Sequence, residues 1–530
     1  MTTRSQQTGT IARSAGIVGI AVMASRILGL VREQVFAGLF GAGLAYDAFV
    51  VAYRIPNLLR DLFAEGALSA AFVTVFTDFK TRLGRELTWR LARNVITTVI
   101  LIVGAICLAG MLCSRGIVML LTAESYYAIP GQLDLTTMMT VIMFPFLLLV
   151  ALSAVSMGML NTMGKFFVPS MASCFFNLGS IIAGVALTLA APHFGCEPIV
   201  GMAWGVIAGG MLQVVIQIPS LRREGFSYRP LLDFSDPGLR RILMLMLPAV
   251  IGFAAPQINN FINTWFASGC GTGSLSWLQY AYRVLWFPIG LVGSSLAVAA
   301  MPVMTRHAST GDYAALRQAY TSATVMSFIL SLPAMSGLIF LARPIIGVLF
   351  ERGEFGPLDT QKTALALSIY ALSLTAFSAL KITIPIFYAL NKTRWPVIGS
   401  FLTVGLNLVI IIGTIGRLQY SAIALSFALF TTFNFLFLAA ILYRSLQGFP
   451  VRYMLLCVAK VAPVSIAMGA LAWWVNRNLL TLLSGFPLAD LWALLASIIC
   501  AMLFYAACIS FSGIPEVNDI KVRIIGRLRR

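Results

Sequence analysis

Charge is scarce in this chain. Asp, Glu, Lys and Arg make up 11% of its 530 residues, while 59% are hydrophobic and the mean hydropathy is +0.90. Soluble domains carry about 25% charged residues, so the ratio excludes an ordinary water-soluble enzyme. Histidine is nearly absent. His193 and His307 stand at or near loops and make no metal cluster. The eight cysteines form no CxxC pair, and most lie in apolar segments, where they read as buried thiols. Cys196 and Cys270 fall in loops on what the charge pattern makes the outer side, where a disulfide between them is open. Long polar connections are also missing, which leaves no room for an extramembrane catalytic domain. No P-loop, GxSxG or zinc-type cluster is present, so no local motif serves ATP hydrolysis or other catalysis. The chain is read as a non-enzyme without cofactor. Its net charge of +18 has no soluble domain to hold it as a basic face, which argues against nucleic acid. The polar first 13 residues run into an apolar stretch with no A-x-A site, so no cleaved signal peptide is read.

Long apolar runs are what the chain has. They fall at approximately 14–40, 45–77, 92–113, 136–160, 168–191, 198–220, 241–268, 277–304, 320–342, 363–389, 396–416, 420–443, 453–475 and 487–511. Strands of a membrane barrel need only about 9–11 residues, and a spanning helix about 20. Backbone polar groups in lipid must be satisfied within their own segment. The predicted fold is therefore an all-α polytopic membrane protein of fourteen transmembrane helices. The excess of positive charge follows one side. Lys80, Arg82 and Arg85, Lys165, Arg222, Arg223 and Arg229, Arg306, Lys392 and Arg394, Arg444 and Arg452 occupy one set of connections, together with both termini. Cytoplasmic loops carry the Lys/Arg excess, which puts both termini in the cytoplasm and demands an even number of spans.

The sequence repeats itself. Ala52-Tyr53-Arg54 falls on Ala281-Tyr282-Arg283 at an offset of 229, and Lys165 and Pro169 fall on Lys392 and Pro396 at an offset of 227. One repeat holds six spans, so both copies point the same way across the membrane. This is the parallel-repeat plan of several transporters. The predicted organisation is a six-helix lobe over 1–228, a second over 229–447, and two further helices with a basic cytoplasmic tail over 448–530.

Within this apolar background, residues 45–67, "AYDAFVVAYRIPNLLRDLFAEGA", carry Asp47, Arg54, Arg60, Asp61 and Glu65. A charge at the centre of a membrane helix costs about 2.5–3.5 kcal/mol on insertion scales. At 100° per residue Asp47, Arg54, Asp61 and Glu65 share one face, and Pro56 is expected to bend the segment. The preceding span adds Arg26, Arg32 and Glu33, with Gly29, Gly38, Gly41 and Gly43 making it easy to bend or unwind. The second half contributes Arg283 and, further on, Lys381 and Arg343. One reading is a set of ion pairs that only holds the bundle together, with Arg54–Asp61 and Arg60–Glu65 as candidates. The other is an anion site between the lobes, because intramembrane charges mark pathways and guanidinium forks match phosphate oxygens. On that reading Arg26, Arg32, Arg54, Arg60 and Arg283 bind substrate, and Glu33, Asp47, Asp61 and Glu65 gate or pair with them. Lys381 could equally snorkel toward the surface or pair with a helix C-terminus.

The charged block at 25–76, together with "SWLQYAYRVLWFPIGLVGSSLA" at 276–297, "LFERGEFGPLDT" at 349–360 and "FYALNKTRWPV" at 387–397, resembles the MurJ (also called MviN) family of lipid II flippases. The family's S-R-x-x-G-x-x-R-D pattern falls on Ser25, Arg26, Gly29, Arg32 and Glu33, with Glu for the usual Asp. Its G-A-G-x-x-x-D-A-F falls on Gly41 to Phe49, and its P-N-x-L-R-R-x-F-A-E-G on Pro56 to Gly66, with Asp61 for the second arginine. Tyr282 and Trp286 stand where many relatives carry acids, which puts a gate built on those two carboxylates in doubt.

The resemblance implies membership of the multidrug/oligosaccharidyl-lipid/polysaccharide transporter superfamily. It implies movement of lipid II, an undecaprenyl-diphosphate-linked disaccharide-pentapeptide, across the bacterial inner membrane by alternating access. The expected partners are lipid II and membrane lipids, with the protein a monomer. The alternatives are a flippase for another polyprenyl-diphosphate-linked oligosaccharide, a multidrug exporter of the same superfamily, and a membrane glycosyltransferase. The span at 396–416 holds no carboxylate, only Asn407, so a carboxylate-based cation site there is unsupported. Membrane potential and an ion gradient both stay open as driving forces.

Overall fold

The computed structural model describes residues 2–60, 68–518 and 521. The chain forms two compact units, Met1–Ser276 and Trp277–Arg530. All regular structure among the described residues is helical.

The first unit runs α1 (Thr2–Phe40), α2 (Leu44–Leu59), α3 (Ser69–Arg82), α4 (Arg85–Leu112), α5 (Ser114–Leu121), α6 (Glu124–Tyr127), α7 (Gln132–Met143), α8 (Phe146–Thr162), α9 (Phe167–Ala190), α10 (Ile199–Val215), α11 (Ile218–Arg223) and α12 (Pro237–Ser268). α13 (Ser274–Pro288) straddles the division. The second unit continues through a π-helical turn (Ile289–Ser294), α14 (Ser295–Ser309), α15 (Tyr313–Phe340), α16 (Ala342–Phe350), α17 (Pro357–Ala371), α18 (Leu374–Ala389), α19 (Arg394–Leu418), α20 (Ser421–Ser445), α21 (Val451–Leu482) and α22 (Ala489–Ser510). The order of elements recurs: a 28-residue α4 and a short α5 in the first unit answer to a 28-residue α15 and a short α16 in the second.

Nine helices or helix pairs among the described residues are long and apolar enough to cross a membrane. α17 and α18 make a tenth if taken as one span bent by 44°. These ten coincide with ten of the expected apolar runs, and the protein is a multi-pass helical membrane protein. The other four runs, 14–40, 45–77, 241–268 and 277–304, fall on α1, on α2 and α3, on α12, and on α13 and α14. Three of these four regions carry the arginines and acids singled out above. Large apolar side chains such as Leu108, Leu189, Val409, Leu455 and Leu503 are exposed on the spanning helices, as a hydrocarbon solvent requires.

Helix packing within the first unit uses small residues. Gly201, Gly205 and Gly209 recur every fourth residue on α10 and meet Ser180, Gly184 and Thr188, which recur every fourth residue on α9. A Cβ at Gly205 would lie 2.6 Å from the Gly184 Cα, and one at Gly201 2.2 Å from the Thr188 amide nitrogen. Such close backbone approach replaces the hydrophobic effect, which is absent between helices in lipid. In the second unit α15 is the spine. Val325, Phe328 and Leu332 bury against Met454, Cys457 and Val461 of α21, and Leu316 and Tyr320 join Ile382 and Ile386 of α18 in another core. The last two helices are therefore packed onto the second unit through α15.

Candidate functional site

The charged segment begins on α1, which stays helical through Gly29 and Gly38. The chain turns only at Gly41, whose φ of 60° suits glycine. The expectation that all four glycines loosen this span is thus met only at the Gly41–Gly43 turn. Arg and Glu are good helix formers, so the charges do not interrupt α1. α9 fixes its rotation: Asn177 Nδ2 donates to the Ser25 carbonyl at 3.2 Å, and Cys174 Sγ to the Ala21 carbonyl at 3.3 Å. Arg26, next to the tethered Ser25, is half-buried.

One turn and a half further on, Arg32 and Glu33 are 6% and 2% exposed. Arg32 Nη2 donates to Glu33 Oε1 at 3.1 Å, and the Tyr46 hydroxyl of α2 donates to Glu33 Oε2 at 2.7 Å. The Arg32 guanidinium lies 5.5 Å from the Phe176 ring centroid on α9. Rings surround this pair. Phe36 meets Tyr46 and Phe49, Phe49 stacks on Tyr53, and Tyr53 meets Phe146, which meets Phe176. A cation and an anion sharing an apolar enclosure attract strongly, because little water screens them. In this conformation Arg32 is a buried, packed residue of the first unit.

α2 carries Asp47 and Arg54, and Arg60 caps its C-terminal end. Asp47 is 3% exposed. Its Oδ1 accepts from the Ser276 amide at 2.9 Å and the Ser276 hydroxyl at 2.5 Å, and its Oδ2 accepts from the Gly273 amide at 2.6 Å. These donors surround the start of α13, so Asp47 supplies from another helix the carboxylate that an N-cap residue normally supplies locally. A cavity of about 100 Å³ adjoins it, lined by Tyr126, Gln132, Ser268 and Thr272 among others. There Gln132 Nε2 donates to the Leu44 carbonyl and the Tyr126 hydroxyl, which also bonds Thr136 at 2.8 Å. Burial, with the nearby Asp47 charge adding to it, holds the Tyr126 phenol well above the usual range. Arg54, two turns after Asp47, and Arg60, at the end of α2, are half-buried; Pro56 lies inside the same helix. Asp61 and Glu65 lie outside the described residues.

Arg283 lies half-buried on α13 in the second unit. Its neighbours Tyr282 and Trp286 belong to a cluster of rings with Tyr370, Phe377 and Phe427. The stretch "LFERGEFGPLDT" has a structural part: Asp359 accepts from the Trp277 indole at 2.8 Å and from the Gly356 amide at the start of α17. Cys196 and Cys270 are free thiols.

A family model described as Lipid II flippase MurJ matches residues 36–490. The chain belongs to the MurJ family. It is 35% identical over 475 residues to a probable lipid II flippase MurJ of Vibrio cholerae serotype O1, covering 88% of this chain and 89% of that relative. To a probable lipid II flippase MurJ of Rhizobium meliloti it is 31% identical over 522 residues, covering 98% and 96%. A solved structure titled as lipid II flippase MurJ in an inward closed conformation superposes with a TM-score of 0.76 at 25% identity, covering 96% of this chain and 99% of that one. An inward-facing multidrug transporter of the MATE family in the MOP superfamily matches with a TM-score of 0.67 at 16% identity, covering 82% and 99%, and so shares the fold. Asp47, Arg54, Arg60 and Arg283 fall within the residues matched by the MurJ model, and Arg26, Arg32 and Glu33 just before them.

Sequence reasoning missed Tyr46, Phe176, Gly273 and Ser276, the partners that fix these charges. Tyr46 had a readable signal, since it directly precedes Asp47 in the charged segment. The others are remote in sequence and carry none.

Proposed function

We propose that this protein translocates lipid II from the cytoplasmic to the periplasmic leaflet of the bacterial inner membrane by alternating access. The observation that carries the reading is a family match over most of the chain, joined to arginines placed on helices of a multi-pass membrane protein. Lipid II bears a diphosphate, and the physical problem is to neutralise it while it crosses hydrocarbon. Arg26, Arg54, Arg60 and Arg283 are assigned to that task. Arg32 joins them as a cation held in reserve by Glu33 and Phe176. Asp47 and Glu33 are assigned to gating, each bound to partners that a conformational change would have to break; Asp61 and Glu65 are assigned with them from the sequence. The proposed membrane arrangement has fourteen spans, two six-helix lobes over 1–228 and 229–447, a final pair over 448–530, both termini cytoplasmic, and a monomer as the working unit.

The test is flipping of lipid II by the purified protein in reconstituted vesicles, scored by exposure of the head group on the far leaflet. Transport of lipid II, and its loss in Arg283→Ala, are expected. Failure to move lipid II while moving another polyprenyl-diphosphate-linked sugar would replace this reading by that one. The shared fold with a multidrug transporter does not favour drug export, since cationic drugs call for acidic groups where this chain places arginines.

A further inference from the structure

The turn between α8 and α9 and the end of α11 enclose a cavity of about 330 Å³. Lys165, Phe166 and Phe167 line it from the turn, and Ser220, Arg223 and Glu224 from α11 and its end. All of these residues belong to the first unit. The charge pattern puts this turn at the cytoplasmic surface, and α9 enters the membrane from it. Topology alone accounts for a basic residue here, and Lys165 recurs in the repeat as Lys392. It does not account for an acid set with two cations around a hollow.

The walls of this pocket are fixed. Gly164, at a φ of 80°, turns the chain after α8, and the Lys165 amide donates back to the Leu160 carbonyl at 2.9 Å. Lys80 of α3 donates to the Thr162 carbonyl at 2.7 Å, and Arg85 of α4 donates to the Glu224 carbonyl. The charged heads are held more loosely. Lys165 Nζ lies 3.4 Å from Glu224 Oε1, beyond the range of about 2.7–2.9 Å for a tight charge-assisted bond. A pair this exposed contributes little, so its members can exchange partners at small cost. Arg223 is exposed and forms no ion pair among the described residues. Phe166 and Phe167 are exposed where α9 enters the bilayer.

A ligand that fits carries both signs. A purely anionic headgroup would meet Arg223 and Lys165 but would also bring its charge against Glu224, which Arg85 pins through the backbone. A headgroup that joins a phosphate to an ammonium through a short ethylene link finds a partner for each. Its phosphate takes Arg223 and Lys165, its ammonium takes Glu224, and the loose Lys165–Glu224 pair is exchanged for these contacts. The exposed phenylalanines suit the acyl chains behind such a headgroup, and a water-soluble phosphate has no use for them. We propose that this pocket binds a phospholipid of the phosphatidylethanolamine class from the cytoplasmic leaflet, with Glu224 as the residue that selects the amine. None of these residues belongs to the arginine set assigned to lipid II, and the proposal does not rest on the flippase reading.

The experiment gives the full-length protein in detergent equal amounts of phosphatidylethanolamine and phosphatidylglycerol with the same acyl chains, and reads the bound lipids by native mass spectrometry. The wild type is expected to retain phosphatidylethanolamine about fivefold over phosphatidylglycerol. Glu224→Gln removes the partner of the ammonium and raises the charge of the pocket, so it is expected to reverse the preference. Arg223→Gln is expected to weaken retention of both lipids. Equal retention by the wild type, or a preference for phosphatidylglycerol, overturns the proposal. An unchanged preference in Glu224→Gln also overturns it, since the lipid is then bound elsewhere. Thermal unfolding is followed alongside; should Glu224→Gln not fold, Arg223→Gln decides alone, and undiminished retention of phosphatidylethanolamine there overturns the proposal. Inorganic phosphate in excess is expected to leave the lipid bound, and complete release by it overturns the proposal in favour of a soluble anion. No transport is measured, so a failure here leaves the flippase reading standing, and a failure of that reading leaves this one.

Discussion

Asp47 and Ser276 are joined by two hydrogen bonds, at 2.9 and 2.5 Å, across 229 residues of chain. They hold the same place in the internal repeat, each five residues before an Ala-Tyr-Arg triplet. Asp47 is thus fastened to its own counterpart, and through Gly273 to the approach to α13.

Asp47→Asn tests this fastening. The amide keeps one acceptor oxygen and turns a donor toward the Gly273 amide or the Ser276 amide and hydroxyl, which are themselves donors. Hydrogen bonds to a charged group contribute about 1.5–3 kcal/mol each, and a buried donor left unmatched costs about 1–3 kcal/mol. A loss of about 2–4 kcal/mol is expected, read as a lower unfolding midpoint in detergent. Ser276→Ala removes one neutral donor and should cost about 1 kcal/mol. If Asp47 also gates, Asp47→Asn impairs flipping in vesicles more than Ser276→Ala does, even at temperatures where both are folded. Equal transport by the two variants would confine Asp47 to stability.

The Arg32–Glu33–Tyr46 cluster gives a contrast between burial and exposure. Removing one member of a buried ion pair typically costs about 3–5 kcal/mol, since the remaining charge loses its counterpart. Arg32→Ala should therefore lower stability by about that much, and Tyr46→Phe by about 1 kcal/mol. Half-buried Arg283 should behave differently: Arg283→Ala is expected to lose transport with little change in the unfolding midpoint. Matched stability losses in the two arginine variants would contradict the contrast between Arg32, held in its buried ion pair in this conformation, and half-buried Arg283.

Much of this was legible before any coordinates. Ten apolar runs became spanning helices because backbone satisfaction in lipid leaves no other choice, and that constraint acts locally. The charges of α1 and α2 stood out for the same reason: each is expensive where it sits. Their partners could not be read. Nothing near Asp47 in sequence announces Gly273 or Ser276, and nothing near Glu33 announces that its second oxygen goes to Tyr46 rather than to an arginine. Periodicity places residues on a face; it does not say what faces them. The bend between α17 and α18, at Leu372 and Ser373, carries no proline or glycine to announce it. The small-residue seam of Gly201, Gly205 and Gly209 carries a readable signal, its spacing of four along one helix.

That seam makes its own prediction. A side chain at Gly205 has no space, with the Gly184 Cα and the Ser180 carbonyl both within 3 Å of the added Cβ. Overpacking costs about 1–3 kcal/mol, occasionally more. Gly205→Val is expected at the upper end, because backbone on the other side cannot move aside as a side-chain tip can. Gly405 is the internal comparison. It lies inside α19 with nothing within 4 Å of an added Cβ, so Gly405→Ala should be neutral or stabilising by about 0.5–1 kcal/mol. Thermal unfolding of both variants in one detergent decides; a tolerated Gly205→Val would mean that α9 and α10 are not packed backbone to backbone.

The thiols offer a pH test of the loop before α13. Cys270 donates to the Phe266 carbonyl at 3.3 Å, and burial pushes its thiol up to about 11. A raised thiol pKa means the neutral form persists below that value, and alkylating reagents attack the thiolate. In a variant keeping only Cys270, the rate of iodoacetamide labelling should climb about tenfold per pH unit between pH 8 and pH 10, where an ordinary thiol with pKa near 8.5 gains only about fourfold in all. A plateau by pH 9 would show the thiol open to water. Cys196 and Cys270 are both free, so the intact mass of the unreduced protein should fall short of full alkylation at neither position once it is unfolded. A missing pair of alkyl groups, recovered on reduction, would instead reveal a disulfide between them and a different path for the loop that presents Gly273 to Asp47.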